Sequence, residues 1–242
     1  MQNRRARLRD LLIADRAGST TSTVALVCAR SVVELSVTGA GATVLSGPGD
    51  PPTLTGSPNR GLVHATDQVS ARLEDLQLTV GEGPCLDTFV SGGPVLVADL
   101  AADGTRWPAF TSGALALGAA AVFSFPLQIG VVRLGSLDLY RDTPGPLTRT
   151  EVTDALILTD MATQGIADEL DGHGQADLSW LLDPHVEVHQ AAGMVQVQLG
   201  VSTEAALMRL RGHAFTHDLP LAEVARQVVS RTLRFTRDED RQ

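Results

Sequence analysis

The strongest constraint on the fold is a change of period along the chain. Up to about residue 170, short apolar runs alternate with helical ones and are punctuated by Gly, Pro and Asn. From residue 178 onward the apolar residues fall at helical spacing only. Between the two lies DGHGQAD, residues 171–177, a small, polar, glycine-containing joint. The expected organisation is therefore an α+β unit over residues 1–170, a linker over 171–177 and an all-α bundle over 178–237. A length of 242 residues accommodates two such units, and 43% hydrophobic residues can fill a core in each.

In the first unit, Val24, Val27, Cys28, Ser31, Val32 and Leu35 share one helical face. Residues 41–47 and 61–66 predict two strands of a hairpin around a Gly/Pro-rich loop. Asp67 opens a helix with Val69, Leu73 and Leu76 in register. GEGPC, residues 81–85, breaks it before a short helix that ends on glycines. Strands are expected at 94–100, 120–129 and 131–141, with a helix from Arg106 to about Leu117 between the first two. A long helix then runs from Thr148 to about Leu170. Short strands of mostly antiparallel pattern among helices predict an α+β sandwich. In the second unit, Val186, Val188, Ala191, Val195 and Leu199 mark a helix ended by Gly200. Ser202 caps a second, with Ala206, Leu207, Leu210 and Ala214 inward. A third, from about Pro220, buries Leu221, Val224, Ala225, Val228 and Leu233.

Charge narrows the partners. The net charge is −9, and residues 1–177 hold 12 of the 19 arginines but 20 of the 28 acids. Residues 178–237 carry six arginines against five acids, so only this part approaches a phosphate backbone without a global penalty. Aromatics at 4% are too few for a reader that stacks single-stranded bases. The N-terminal residues are basic without the apolar stretch of a signal peptide, and no window reaches membrane-spanning length. A cytoplasmic protein is expected.

Candidate chemistry is sparse. His185 and His189, and again His213 and His217, stand i, i+4, but neither pair has a third ligand nearby, so no metal site is expected. Cys28 and Cys85 make neither a metal spacing nor a disulfide framework. Cys85 before a short helix, with His64 in the same unit, is a weak Cys/His hydrolase pattern, and the chain is read as a non-enzyme. Cys85, Leu86, Trp107, Phe110, Phe123 and Phe125 either line a cavity or fill the core; residue types leave both open. The arginines of the bundle, Arg209 and Arg211 among them, are either a solvated face or an RNA face that holds a stem through its phosphates.

The run DQVSARLEDLQLTVGEGPCLDTFVSGGPVLVADL, followed by RWPAF, FSFPL and LGSLDLYR, resembles a GAF domain of the actinobacterial type. QAAGMVQVQLGVSTEAALMRLRGHAFTHDLPLAEVARQVV resembles the ANTAR module. The resemblance implies a GAF-type antiparallel sheet flanked by helices, followed by a three-helix ANTAR bundle. It further implies a homodimeric regulator that binds stem-loop leader RNA and promotes transcription antitermination, with a small-molecule ligand of unknown identity in the GAF part. On this basis Arg209 and Arg211 are the expected RNA contacts, with Gln190, Gln198 and His217 beside them. Cys85, Asp87, Trp107 and Phe125 are the expected sensor-pocket residues. The chain departs from the ANTAR pattern at His185, Ala192 and Gln198, where the family carries cations. Fewer cations weaken phosphate binding. The alternative is a ligand- or partner-sensing protein whose bundle has lost RNA and serves for assembly. A reductase built on Cys85, as in GAF-like methionine sulfoxide reductases, lacks the set of cysteines that group uses.

Overall fold

A computed structural model of the chain describes residues 2–17, 21–45, 60–172, 186–217 and 219–236. The expected loop between the first two strands, residues 173–177 of the expected linker, and His185 lie outside these residues.

Fourteen elements are described, beginning with α1, Gln2–Arg16, and α2, Thr23–Glu34. The arginines of α1 obscure its helical pair, Leu8 and Leu12, which are buried against the rest of the unit. Arg4 reaches Asp154 at 2.8 Å and Arg7 reaches Glu34 at 2.7 Å, which seats α1 across its neighbours. Ser22 caps α2 by accepting the Ala25 N–H.

β1, Gly39–Leu45, and β2, Arg60–Ala65, pair antiparallel as the hairpin expected from the sequence. α3, Gln68–Val80, follows its cap Asp67 and ends on Gly81, whose φ of 73° needs no Cβ. α4, Pro84–Ser91, and β3, Val95–Val97, come next. β3 is shorter than the expected 94–100 because it is an edge strand paired to one neighbour only. Past it Asp99 turns the chain, its carboxylate accepting the N–H groups of Ala101 and Ala102. α5, Pro108–Ala116, β4, Ala121–Ile129, and β5, Val132–Arg141, complete the sheet. Its order is β2-β1-β5-β4-β3, antiparallel throughout. α6, Arg149–Gly172, runs two residues past its expected end, so the first two linker residues are helical.

Period-2 alternation gives the sheet two unlike faces. Ala40, Ala42, Phe123, Phe125, Leu127, Leu137 and Leu139 point to α2 and α6 and form the main core. Val122 and Tyr140 point the other way and join Leu73, Trp107 and Phe110 in a smaller core under α3 and α5.

The bundle comprises α7, Val186–Leu199, α8, Thr203–Thr216, and α9, Leu221–Val229. Gly200, at φ 68°, stops α7, and Ser202 caps α8 by accepting the Ala205 N–H. Val195, Ala206, Leu210, Ala214, Val224 and Val228 are buried between the helices. Leu233, expected inside the third helix, lies beyond its end and is only partly buried against the bundle.

Candidate functional site

The residues between the core positions of the central strands are polar. Thr43 on β1, Ser124 on β4, and Ser136 and Asp138 on β5 face α3 and α4, and the register sets Ser124 and Gly41 opposite Asp138. The Ser124 hydroxyl donates to one oxygen of Asp138, and Ser136 donates to the other at 2.5 Å. From α3, Glu74 comes down on this patch and accepts the Thr43 hydroxyl at 2.9 Å while only 4% exposed. A small cavity of about 20 Å³ remains, bounded by Ser70, Glu74, Gln77, Ser124, Asp138 and Tyr140. It is the size of a single water or ion.

The Gly81-to-Cys85 turn joins three helices beside this cavity. Gly83, at φ 141°, has no room for a Cβ, which would lie 2.5 Å from the Gln77 side chain. Gln77 therefore packs flat on the turn and accepts the Cys85 N–H at 2.9 Å. Glu82 accepts the N–H groups of Ala109 and Phe110 and so caps α5. Cys85, fully buried in the first turn of α4, has its sulfur against the Glu74 and Asp138 carboxylates.

The far end of α3 meets the bundle. Arg211 on α8 donates from Nε to the Leu78 carbonyl at 3.1 Å, and a Cβ at Gly81 would stand 2.9 Å from its Nη1. The Leu221 N–H, at the start of α9, donates to the Thr79 hydroxyl at 3.3 Å, and Leu78 packs on the bundle core. A cleft of about 630 Å³ opens along this seam, lined by Leu86, His189, Leu207, Met208, Arg211 and Phe215 among others. One helix thus contributes Ser70, Leu73, Glu74 and Gln77 to the cavity and Leu78 and Thr79 to the seam.

The expected RNA contacts fall into two places. Arg209 is exposed on α8 and Arg211 half-buried at the seam. His217 caps α8, with its ring stacked on His213 at 4.0 Å. Gln190 and Gln198 instead line a cleft of about 500 Å³ with Arg231, Arg234, Met194 and Val197. Gln198 also accepts the Phe235 N–H at 3.0 Å. Ala192 is 1% exposed, inside the bundle core.

Of the expected pocket residues, only Cys85 reaches the polar cluster. Asp87 lies on the outer side of α4, 2.8 Å from Arg106. Trp107 packs edge-on against Phe110 in the smaller core. Phe125, like Phe123, points through the sheet to α2 and α6, because both are in phase with Leu127 and out of phase with Ser124. Glu74, Gln77, Ser124, Ser136 and Asp138 were not singled out from the sequence. The signal for them is the strict alternation in FSF and SLDLY, with an acid and an amide three apart on the apolar side of α3.

Burial pushes the Cys28 thiol up to about 12, and the charges of Asp138 and Glu74 add to this from across the sheet. Burial and the neighbouring Asp67 carboxylate raise the Tyr140 phenol to about 12. Burial lowers His64.

The ANTAR domain model matches residues 177–229. No curated protein matches the chain. Among solved structures, the GAF domain of a phosphoenolpyruvate-protein phosphotransferase from Coxiella burnetii is 15% identical. The match covers 69% of this chain and 95% of that one, with a TM-score of 0.51. The corresponding Acinetobacter GAF domain is 11% identical, covers 73% and 97%, and scores 0.49. Free methionine-R-sulfoxide reductase from Neisseria meningitidis, solved in complex with its substrate, is 15% identical over 67% and 87%, at 0.44. The first likeness establishes a GAF fold for the sheet unit and leaves its ligand open. Among the described residues, no helix is long and apolar enough to cross a membrane.

Proposed function

We propose that this chain, a GAF-type sheet unit followed by an ANTAR domain, is a signal-responsive regulator that binds stem-loops in nascent leader transcripts and promotes antitermination. It acts as a regulator and not as an enzyme, in the cytoplasm and as a homodimer. The bundle supplies the RNA face, with Arg209 and Arg211 of α8 as its principal cations. The GAF unit supplies the input.

The observation that carries this reading is the double engagement of α3. The helix closes the polar cavity with Glu74 and Gln77 and holds Arg211 through the Leu78 carbonyl. An arginine bound to a helix C-terminus is withheld from phosphate, and the helix carbonyl dipoles favour keeping it there. An occupant that shifts α3 changes the free energy of the seam, which is the requirement for coupling two sites. At about 20 Å³ the cavity has no room for an organic ligand, so entry of one requires its walls, α3 among them, to move.

A second reading, in which the bundle serves assembly and has lost RNA, is favoured by two observations. Ala192 is buried in the bundle core, and Gln198 is engaged by Phe235. Crosslinking in cells followed by sequencing of bound RNA, with an Arg209→Ala/Arg211→Ala double variant alongside, separates the two. Enrichment of paired stem-loop leaders that disappears in the variant is the expected result. No enrichment above the variant transfers the case to the assembly reading.

A further inference from the structure

We propose that Glu74, Cys85 and Asp138 form a binding site for one divalent cation of the zinc class. Nothing in the resemblance or the comparisons assigns such a site. The proposal does not depend on RNA binding, and its test reads metal alone.

The three residues come from three elements, α3, the first turn of α4, and the middle of β5. Their ligating atoms, one sulfur and two carboxylate oxygens, lie within 4.8 Å of one another. Metal–sulfur and metal–oxygen bonds near 2.3 and 2.1 Å place the donors of a tetrahedral zinc about 3.5 Å apart. Small carboxylate rotations close that difference. Glu74 and Cys85 are buried, and Asp138 is half-buried.

The surroundings hold both carboxylates in place. Thr43 donates to Glu74, while Ser124 and Ser136 donate one hydrogen bond to each oxygen of Asp138. Donated hydrogen bonds fix the orientation of a ligand, the usual arrangement behind a metal's first ring of donors. The cavity that Glu74 and Asp138 border has room for one water, which would supply a fourth position.

The donor set selects the ion. A thiolate with two carboxylates suits a borderline ion such as Zn²⁺ or Co²⁺, whereas Mg²⁺ takes oxygen donors in a wider octahedron. Binding releases the thiol proton and ties α3, α4 and β5 to one centre, so occupancy sets the position of the helix that carries Leu78.

Metal-free full-length protein titrated with Co²⁺ tests the site, because cobalt bound to thiolate gives a near-ultraviolet charge-transfer band. The expected result is a band saturating at one Co²⁺ per chain and displaced by Zn²⁺. Cys28→Ser should keep the band, Cys85→Ser should lose it, and Glu74→Gln and Asp138→Asn should weaken binding by at least about tenfold, the effect of losing a metal's supporting groups. Absence of the band in the wild type, its survival in Cys85→Ser, or its loss in Cys28→Ser overturns the proposal. Thermal unfolding of the wild type guards against variants that fail to fold. Zn²⁺ should raise the midpoint in a saturable way and equimolar Mg²⁺ should not; an unmoved midpoint with Zn²⁺ also overturns it.

Discussion

β4 and β5 turn Phe123, Phe125, Leu137 and Leu139 toward α2 and α6, and turn the residues between them, Ser124, Ser136 and Asp138, toward α3 and α4. The same strands therefore bury apolar side chains on one side and hydroxyls and carboxylates on the other. Stability is served by the first side and, on the second, by Val122 and Tyr140 in the smaller core. The second costs desolvation at every polar group and is offset by the hydrogen bonds among them. Such expense, gathered into one connected patch across three elements, marks where the chain does more than hold itself together. It also explains why the covering helices differ. α2 and α6 pack on the main core, whereas α3 brings Glu74 and Gln77 to the polar patch and continues into the bundle through Leu78 and Thr79.

The contrast breaks most visibly under truncation. Phe125→Ala on the apolar face should lower the unfolding free energy of the sheet unit by about 3–5 kcal/mol, read by denaturant titration. A loss under about 1 kcal/mol would mean that this face is not the structural one. On the opposite face, Thr43→Val leaves Glu74 without its hydroxyl partner and should cost roughly 1–3 kcal/mol. A loss as large as that of Phe125→Ala would erase the distinction between the faces.

The smallest effect is the most specific to the polar side. Tyr140 is the only tyrosine, so its ionisation can be followed by near-ultraviolet absorbance without assignment. Its midpoint should lie near 12, because burial and the Asp67 carboxylate favour the neutral phenol. The folded value stands above the ordinary one of 10.0, so the folded chain holds this proton more tightly than the unfolded chain. The stabilising contribution is complete below pH 10 and is lost as pH rises toward 12. A midpoint at 10 would place the phenol in water and contradict the packing described.

Much of this was legible in the sequence because period carries it. The sheet strands, the capped starts at Asp67 and Ser202, and the stop at Gly200 follow from alternation, helical spacing and turn chemistry. α1 was not legible, because five arginines surround its leucine pair. Of the expected pocket residues Cys85, Asp87, Trp107 and Phe125, the two aromatic ones belong to the two cores and Asp87 to the surface. What makes the site is which polar residue falls opposite which across three elements, and pairing at that range has no local signature. Arg211 illustrates the same limit: its residue type pointed to RNA, but its partner, the Leu78 carbonyl, lies 133 positions away.

In the proposed function α3 holds Arg211 away from RNA, and one measurement addresses that directly. The affinity of the full-length protein for a transcript bearing paired stem-loops would be compared between the wild type and Leu78→Ser, which loosens the seam without touching α8. Release of the docked state should tighten binding by roughly 5–150-fold, the range of allosteric couplings, and adding Arg209→Ala should weaken it again. Equal or weaker binding by a folded Leu78→Ser protein, or no binding by either, would contradict the account.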